Sequence, residues 1–193
     1  MQSGCTGFAS IAGDVSFGND PDLVIPSAVA SVRIALEACQ QESSSGKFSS
    51  FVFLSSSHAA RTRKDNAPMS LDAKCWNDEA IAKVQAMSKQ STSTQASESI
   101  YAGMGITIYS AAKALSEREI WNYSKANPER GFKIVSIVPN FNIGAPLHKK
   151  QVEQPGTPVR VMQRQFGGLL KGDRDVMDTI IPARKMPVFR TDI

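Results

Sequence analysis

Apolar residues come in short blocks separated by polar stretches, and the spacing inside each block predicts the element it forms. Phe8 to Ala12, in "GFASIAGDVSF", is a brief apolar run closed by Gly13 and Asp14, the pattern of a buried strand ending in a loop. From about Pro26 to Gln41 the period changes. Val29, Val32, Leu36 and Cys39 recur at helical spacing and would bury one face, with Pro26 and Ser27 in the first turn and Ser43 to Gly46 closing the helix. Phe51 to Leu54 is a continuous aromatic and aliphatic run, which predicts a strand covered on both sides with Ser55, Ser56 and Ser57 at its carboxyl end.

Residues 61–105 are polar and irregular. "SKQSTSTQASES" reads as a surface loop of low complexity, and a short helix around "WNDEAIAKVQAM" interrupts the stretch. Trp76 and Met87 are expected to pack beneath it. A long helix follows from about Ile108 to Asn127, ended by Pro128 and Gly131. Projected at about 100° per residue, Ala111, Ala114, Leu115 and Trp121 share one arc, while Tyr109, Lys113, Ser116, Ile120 and Tyr123 share the opposite one. Both sides of this helix therefore need a neighbour. Phe132 to Val138, "FKIVSIV", is a third buried-type strand, stopped by Pro139 and Asn140. Beyond Gly144 the pattern weakens to a helix around "TPVRVMQRQFGGLLKG" and a tail, "IIPARKMPVFRTDI", without periodicity.

Strand, helix, strand, loop with helix, helix, strand is the rhythm of a parallel α/β sheet with crossover helices. In such sheets ligands sit at the carboxyl ends of strands. Those ends carry Ala12 with Gly13, Ser55 to Ser57, and Pro139 with Asn140.

Composition narrows the classes. The 193 residues are 41% hydrophobic and 21% charged, enough to fold around one apolar core. The net charge of +4 is spread along the chain, with small clusters at Arg61, Arg63 and Lys64 and at Lys149 and Lys150; no basic stripe with interleaved aromatics suggests nucleic acid. Cys5, Cys39 and Cys75 are odd in number and far apart, which argues against a disulfide framework or a metal site and for a reducing, cytoplasmic setting. No apolar run approaches the roughly 18 residues of a membrane span, and no secretory leader pattern opens the chain.

Tyr109 and Lys113 stand one helical turn apart, where a neighbouring ammonium stabilises a phenolate and draws the phenol toward a useful acidity. By itself the spacing is common. It gains meaning from its order: strand plus serines, then Tyr-x-x-x-Lys on the next major helix, then strand plus "PNFNIG". "FVFLSSSHAA", "CWNDEAI", "YSAAKALSEREIW" and "IVPNFNIGAPL" resemble, in the same order, segments of the extended short-chain dehydrogenase/reductases, in the branch of dihydroflavonol reductase-like and fungal-type aldehyde and ketone reductases. The resemblance runs from about Gly7 to Asp178.

That resemblance implies a partial Rossmann-type sheet with flanking helices, its N-terminal βαβ half absent. It divides the chain into residues 1–145, the C-terminal part of the core with the catalytic helix, and residues 146–193, a remnant of the substrate-binding region with an irregular tail. It implies NAD(P)H-dependent reduction of a small-molecule carbonyl, with NADP as cofactor and NAD open. Tyr109 would be the general acid, Lys113 would lower its pKa and bind the nicotinamide ribose, and Ser56 would donate to the substrate carbonyl, Ser57 being the alternative and Ser55 a weaker one. Ala12, Gly13, Pro139 and Asn140 would border the cofactor.

The chain departs from that family in lacking the glycine-rich turn that receives a pyrophosphate. "GCTG" at Gly4 to Gly7 and "SSGK" ending at Lys47 do not substitute for it, lacking the strand, helix or residue pattern each motif requires. A second reading follows: a catalytically inactive or interaction fragment that cannot hold the dinucleotide alone and whose exposed sheet edge invites self-association. His58, beside the serines, is not expected to serve as their base, since neighbours in sequence do not face each other as that chemistry requires.

Overall fold

The computed structural model describes residues 5–14, 16–44, 46–62, 72–88, 103–140 and the backbone of 188–191. The expected weak helix around residues 157–172, the low-complexity loop after residue 88, and His148, Lys149 and Lys150 lie outside the described residues. The contacts divide the chain into Met1–Pro139 with Pro187–Ile193, and Asn140–Met186. The first unit holds every element described below.

Its strands are β1 (Gly7–Ser10), β2 (Ser50–Leu54), β3 (Lys133–Val138) and β4 (Val188–Thr191), ordered β1-β2-β3-β4 in one sheet. The first three are parallel, in a register that sets Phe8 beside Phe51 and Phe51 beside Ile134. The sheet is therefore the expected Rossmann-like α/β type. β4 was not expected from the tail: it adds antiparallel to β3, pairing Val138 with Val188.

β1 corrects one expectation. It is exposed to half-buried, because it is the outer strand of the described sheet and has β2 on one side only. Its apolar run also stops pairing early, and Ile11 is 65% exposed. In β2, Phe51 and Phe53 are buried while Val52 and Leu54 are half-buried, so one face is covered more completely than the other.

Helix α1 spans Pro21–Ser43, starting five residues before the expected Pro26. The start is set by Asp20, whose carboxylate accepts from the backbone N–H groups of Asp22 and Leu23, with Pro21 at the first helical position. Pro26 lies inside the helix. Val32, Leu36 and Cys39 are buried as expected, while Val29 is half-buried. α2 is a single turn, Ser57–Ala60, and α3 spans Asp78–Ser88. Asn77 joins them: its side chain donates to the His58 carbonyl at 2.6 Å and accepts from the Ala80 N–H at 3.1 Å.

The long helix α4 is Gly105–Ala126. Toward α1 and the sheet, Ile120 joins Leu36, Phe51, Phe53 and Ile134 in one core cluster. Toward α2 and α3, Ile108, Ala111 and Ala114 pack with Ala59, Ile81 and Val84 in a second. Both sides of α4 are thus used, as the two arcs required, although Trp121 packs with the Ile120 cluster rather than with Ala111 and Ala114. Met87 packs against the second cluster, and Trp76 lies under the Arg118 guanidinium.

Candidate active site

The end of β2 and one side of α4 meet residue by residue. Ser56 caps α2: its hydroxyl oxygen accepts the His58 N–H at 3.2 Å, which leaves its own proton to donate. The Ser56 hydroxyl hydrogen-bonds the Tyr109 phenol. One turn along, the Lys113 ammonium donates to the Leu54 carbonyl at 3.0 Å. A further turn along, the Ser55 hydroxyl donates to Glu117 at 2.6 Å. Three consecutive β2-end residues are each held by a different turn of α4.

Lys113 also lies 5.3 Å from the Phe53 ring centre and 5.9 Å from that of Tyr109. Gly13 presses on it from the loop after β1, where a Cβ would stand 3.1 Å from the Lys113 nitrogen. A cleft of about 560 Å³ opens beside these residues, lined by Ala12, Gly13, Asp14, Tyr109 and Lys113 together with Ser27 and Ser31 of α1.

Electrostatics here differ from the expectation that Lys113 would lower the phenol's pKa. Burial raises Tyr109 above the ordinary tyrosine value, and the Ser56 hydrogen bond only partly opposes it. The ammonium is directed to the Leu54 carbonyl instead. Burial likewise draws Lys113 below the ordinary lysine range, against the pull of Glu117.

Of the residues singled out from sequence, Ala12, Gly13, Tyr109 and Lys113 share the cleft wall, and Ser56 reaches it through Tyr109. Pro139 does not line the cleft, but its carbonyl accepts the Ser57 N–H at 2.8 Å, which ties the end of β3 to the start of α2. Asn140 is exposed and begins the second unit. His58 meets Ser56 through its backbone N–H, which donates to the serine hydroxyl oxygen. Its ring nitrogen pairs with the Ser110 hydroxyl at 3.2 Å, and burial lowers its pKa.

Three contributors were not foreseen. Phe17 sits edge-on to Tyr109 at 5.2 Å, and His58 does the same at 6.2 Å, so the phenol is held between two rings. Phe17 adopts a φ of 55°, a left-handed conformation unusual for a bulky residue. No sequence pattern announces it. Glu117, fully buried, was legible in principle, standing one turn beyond Lys113 as Lys113 stands one turn beyond Tyr109.

A Rossmann-like sheet whose strand ends meet a helix bearing tyrosine and lysine defines the class. Among curated proteins, the chain is 35% identical over 145 residues to the NAD-dependent epimerase/dehydratase terH of Aspergillus terreus, covering 75% of this chain and 38% of that protein. It is 30% identical over 142 residues to aldehyde reductase 2 of Sporidiobolus salmonicolor, covering 73% and 37%. The structure of Gre2 from Candida albicans in complex with NADPH superposes with a TM-score of 0.60 at 20% identity, over 82% of this chain and 43% of that one. No family model matches. The chain is thus similar in sequence and fold to the extended short-chain dehydrogenase/reductase-like proteins, and it spans about two fifths of the length of these curated relatives.

Proposed function

We propose that this chain carries the acid and cation of an NADPH-dependent reductase that converts an aldehyde or ketone to an alcohol. The observation that carries this reading is the contact of Ser56 with Tyr109, beside Lys113, on the wall of a cleft. A phenol is protonated at neutral pH, and burial raises the Tyr109 pKa further, so Tyr109 holds the proton a forming alkoxide needs. The phenolate left behind then has the Lys113 ammonium as a nearby cation, 5.9 Å from its ring centre. Ser56 supplies a hydroxyl donor to the carbonyl oxygen, with Ser57 as the alternative.

The cleft suits the nicotinamide and ribose end of the cofactor. Its volume falls within the roughly 300–1,000 Å³ of small-molecule sites, Lys113 offers donors for ribose hydroxyls, and Ala12 and Gly13 leave room along one wall. A reduced nicotinamide bound there supplies a hydride. Preference for NADPH rests on Gre2, whose complex holds it; NADH remains the alternative.

Carbonyl-dependent NADPH oxidation by the purified chain tests the reading. Tyr109→Phe should lower kcat by about 10²–10⁴-fold, the worth of a positioned general acid. A measurable rate left unchanged by that substitution refutes it.

Two observations favour a second reading. The 193-residue sequence has no glycine-rich turn, and the outer edge of β1 is unpaired among the described residues. The chain would then be an interaction fragment, pairing through β1 with a second copy or another chain without holding the dinucleotide. NADPH fluorescence titration separates the two: micromolar binding eliminates the fragment reading, and no binding up to millimolar cofactor eliminates the reductase reading for this chain.

A further inference from the structure

We propose that Glu117 is a positioning residue for this site: through Ser55 it fixes the end of β2 so that Ser56 meets Tyr109, and it provides the anion that Lys113 faces. The inference rests on the reductase reading, because it assigns a role to Glu117 in the same acid and cation pair.

Glu117 is 0% exposed, and its carboxylate takes the Ser55 hydroxyl at 2.6 Å, within the range of short charge-assisted O–H···O bonds. A buried carboxylate is costly, and a well-packed apolar residue would fill the same space without that cost. Its presence calls for a compensating gain. The geometry supplies two. Ser55 is bound on both sides, its N–H donating to the Ile137 carbonyl at 2.8 Å and its hydroxyl to Glu117, so the residue before Ser56 is fixed to β3 and to α4. Lys113 stands one helical turn from Glu117, where i and i+4 side chains are neighbours.

The charged and titratable groups facing Lys113 are few among the described residues. Tyr109 and Glu117 face it from α4, and Asp14 shares the cleft from the loop after β1. The β2 residues against it, Phe53 and Leu54, are apolar, and the α1 residues lining the cleft carry no charge. Glu117 is the buried anion of this set, and its attraction opposes the desolvation of the ammonium.

Glu117→Gln keeps the shape and an acceptor for Ser55 while removing the charge. With ¹³C-labelled lysine, the Lys113 side chain is titrated by NMR in the parent chain and in the variant, assigned through Lys113→Arg. The variant should lower the Lys113 proton affinity about tenfold, the low end of what an adjacent opposite charge provides. A folded variant whose Lys113 titration does not move overturns the inference. Ser55→Ala provides a second arm that keeps the charge: kcat should fall at least tenfold with KM nearly unchanged, and an unaltered kcat overturns the positioning role. The two readings fail separately. A shifted Lys113 titration in a chain that never turns over a carbonyl refutes the reductase reading and leaves the Glu117–Lys113 coupling standing, whereas turnover with an unmoved titration refutes the coupling.

Discussion

Gly105→Ala reverses the usual sign of a glycine-to-alanine change in a helix. Alanine is favoured over glycine in a helix interior by about 1 kcal/mol. At Gly105, the first residue of α4, an added Cβ would collide with the Phe17 carbonyl oxygen and stand 2.9 Å from the Phe17 Cβ. Carbon and carbonyl oxygen ordinarily come no closer than about 3.3 Å, so one of the two must move. Backbone is what must yield, and that backbone is already held at a φ of 55°. Because backbone must move, the cost lies in the upper part of the ~1–3 kcal/mol that overpacking takes, so after the propensity gain a net loss of roughly 1–2 kcal/mol is expected. For a domain of this size that lowers Tm by about 2–8 °C. The assay is urea unfolding followed by far-UV circular dichroism. Gly18→Ala is the matched control in the same loop, since its Cβ would meet the Val24 side chain at 3.4 Å and the Ser16 hydroxyl at 3.7 Å, both ordinary contacts, and it should stay within about 0.5 kcal/mol of the parent. A Gly105→Ala chain as stable as the parent, or a Gly18→Ala chain that loses as much, would refute the reasoning.

Two further outcomes follow from groups buried near the site. Ser136 has a fully buried hydroxyl with no hydrogen-bond partner among the described residues, so Ser136→Ala should leave the urea midpoint unchanged or raise stability by up to about 1 kcal/mol; a clear loss would reveal a partner. Burial lowers the His58 pKa, so the folded chain binds fewer protons there than the unfolded one, and the stability present above about pH 6.5 is lost as pH falls through the folded value. Thermal melts between pH 7 and about pH 5, above the range where carboxylates such as Asp14 titrate, should show a decline that His58→Gln flattens; an equal decline in the variant counts against His58 as its source.

The helix carrying Tyr109 and Lys113 was readable because its period, its two apolar arcs and its terminating Pro128 and Gly131 all agree. β2 and β3 were readable as continuous apolar runs. What periodicity could not tell was a strand's place in the sheet, which is why the apolar run of β1 looked buried although it is the outer strand of the described sheet. The start of α1 was misplaced because Pro26 is as suitable for a first turn as Pro21, and only the Asp20 carboxylate decides between them. β4 has no period of its own; it exists through pairing with β3, a contact no local pattern encodes. Of the site, spacing and order indicated which side chains belong together, but the direction of the Tyr109 pKa shift depends on burial and on where the Lys113 ammonium points, which spacing does not contain.

The register of the parallel strands bears on how this chain reaches its fold. Gly7 pairs with Ser50 and Ser50 with Lys133, so each pairing closes a long stretch of chain that includes at least one whole helix. Such high contact order makes folding slow, because loop-closure entropy is lost before the contacts that repay it are made. α1 and α4 can gain helical structure locally and early. Ser56 and Tyr109, by contrast, meet only when β2 has docked against α4, so a collapsed intermediate would display much of the native helical signal while lacking the serine–tyrosine contact altogether.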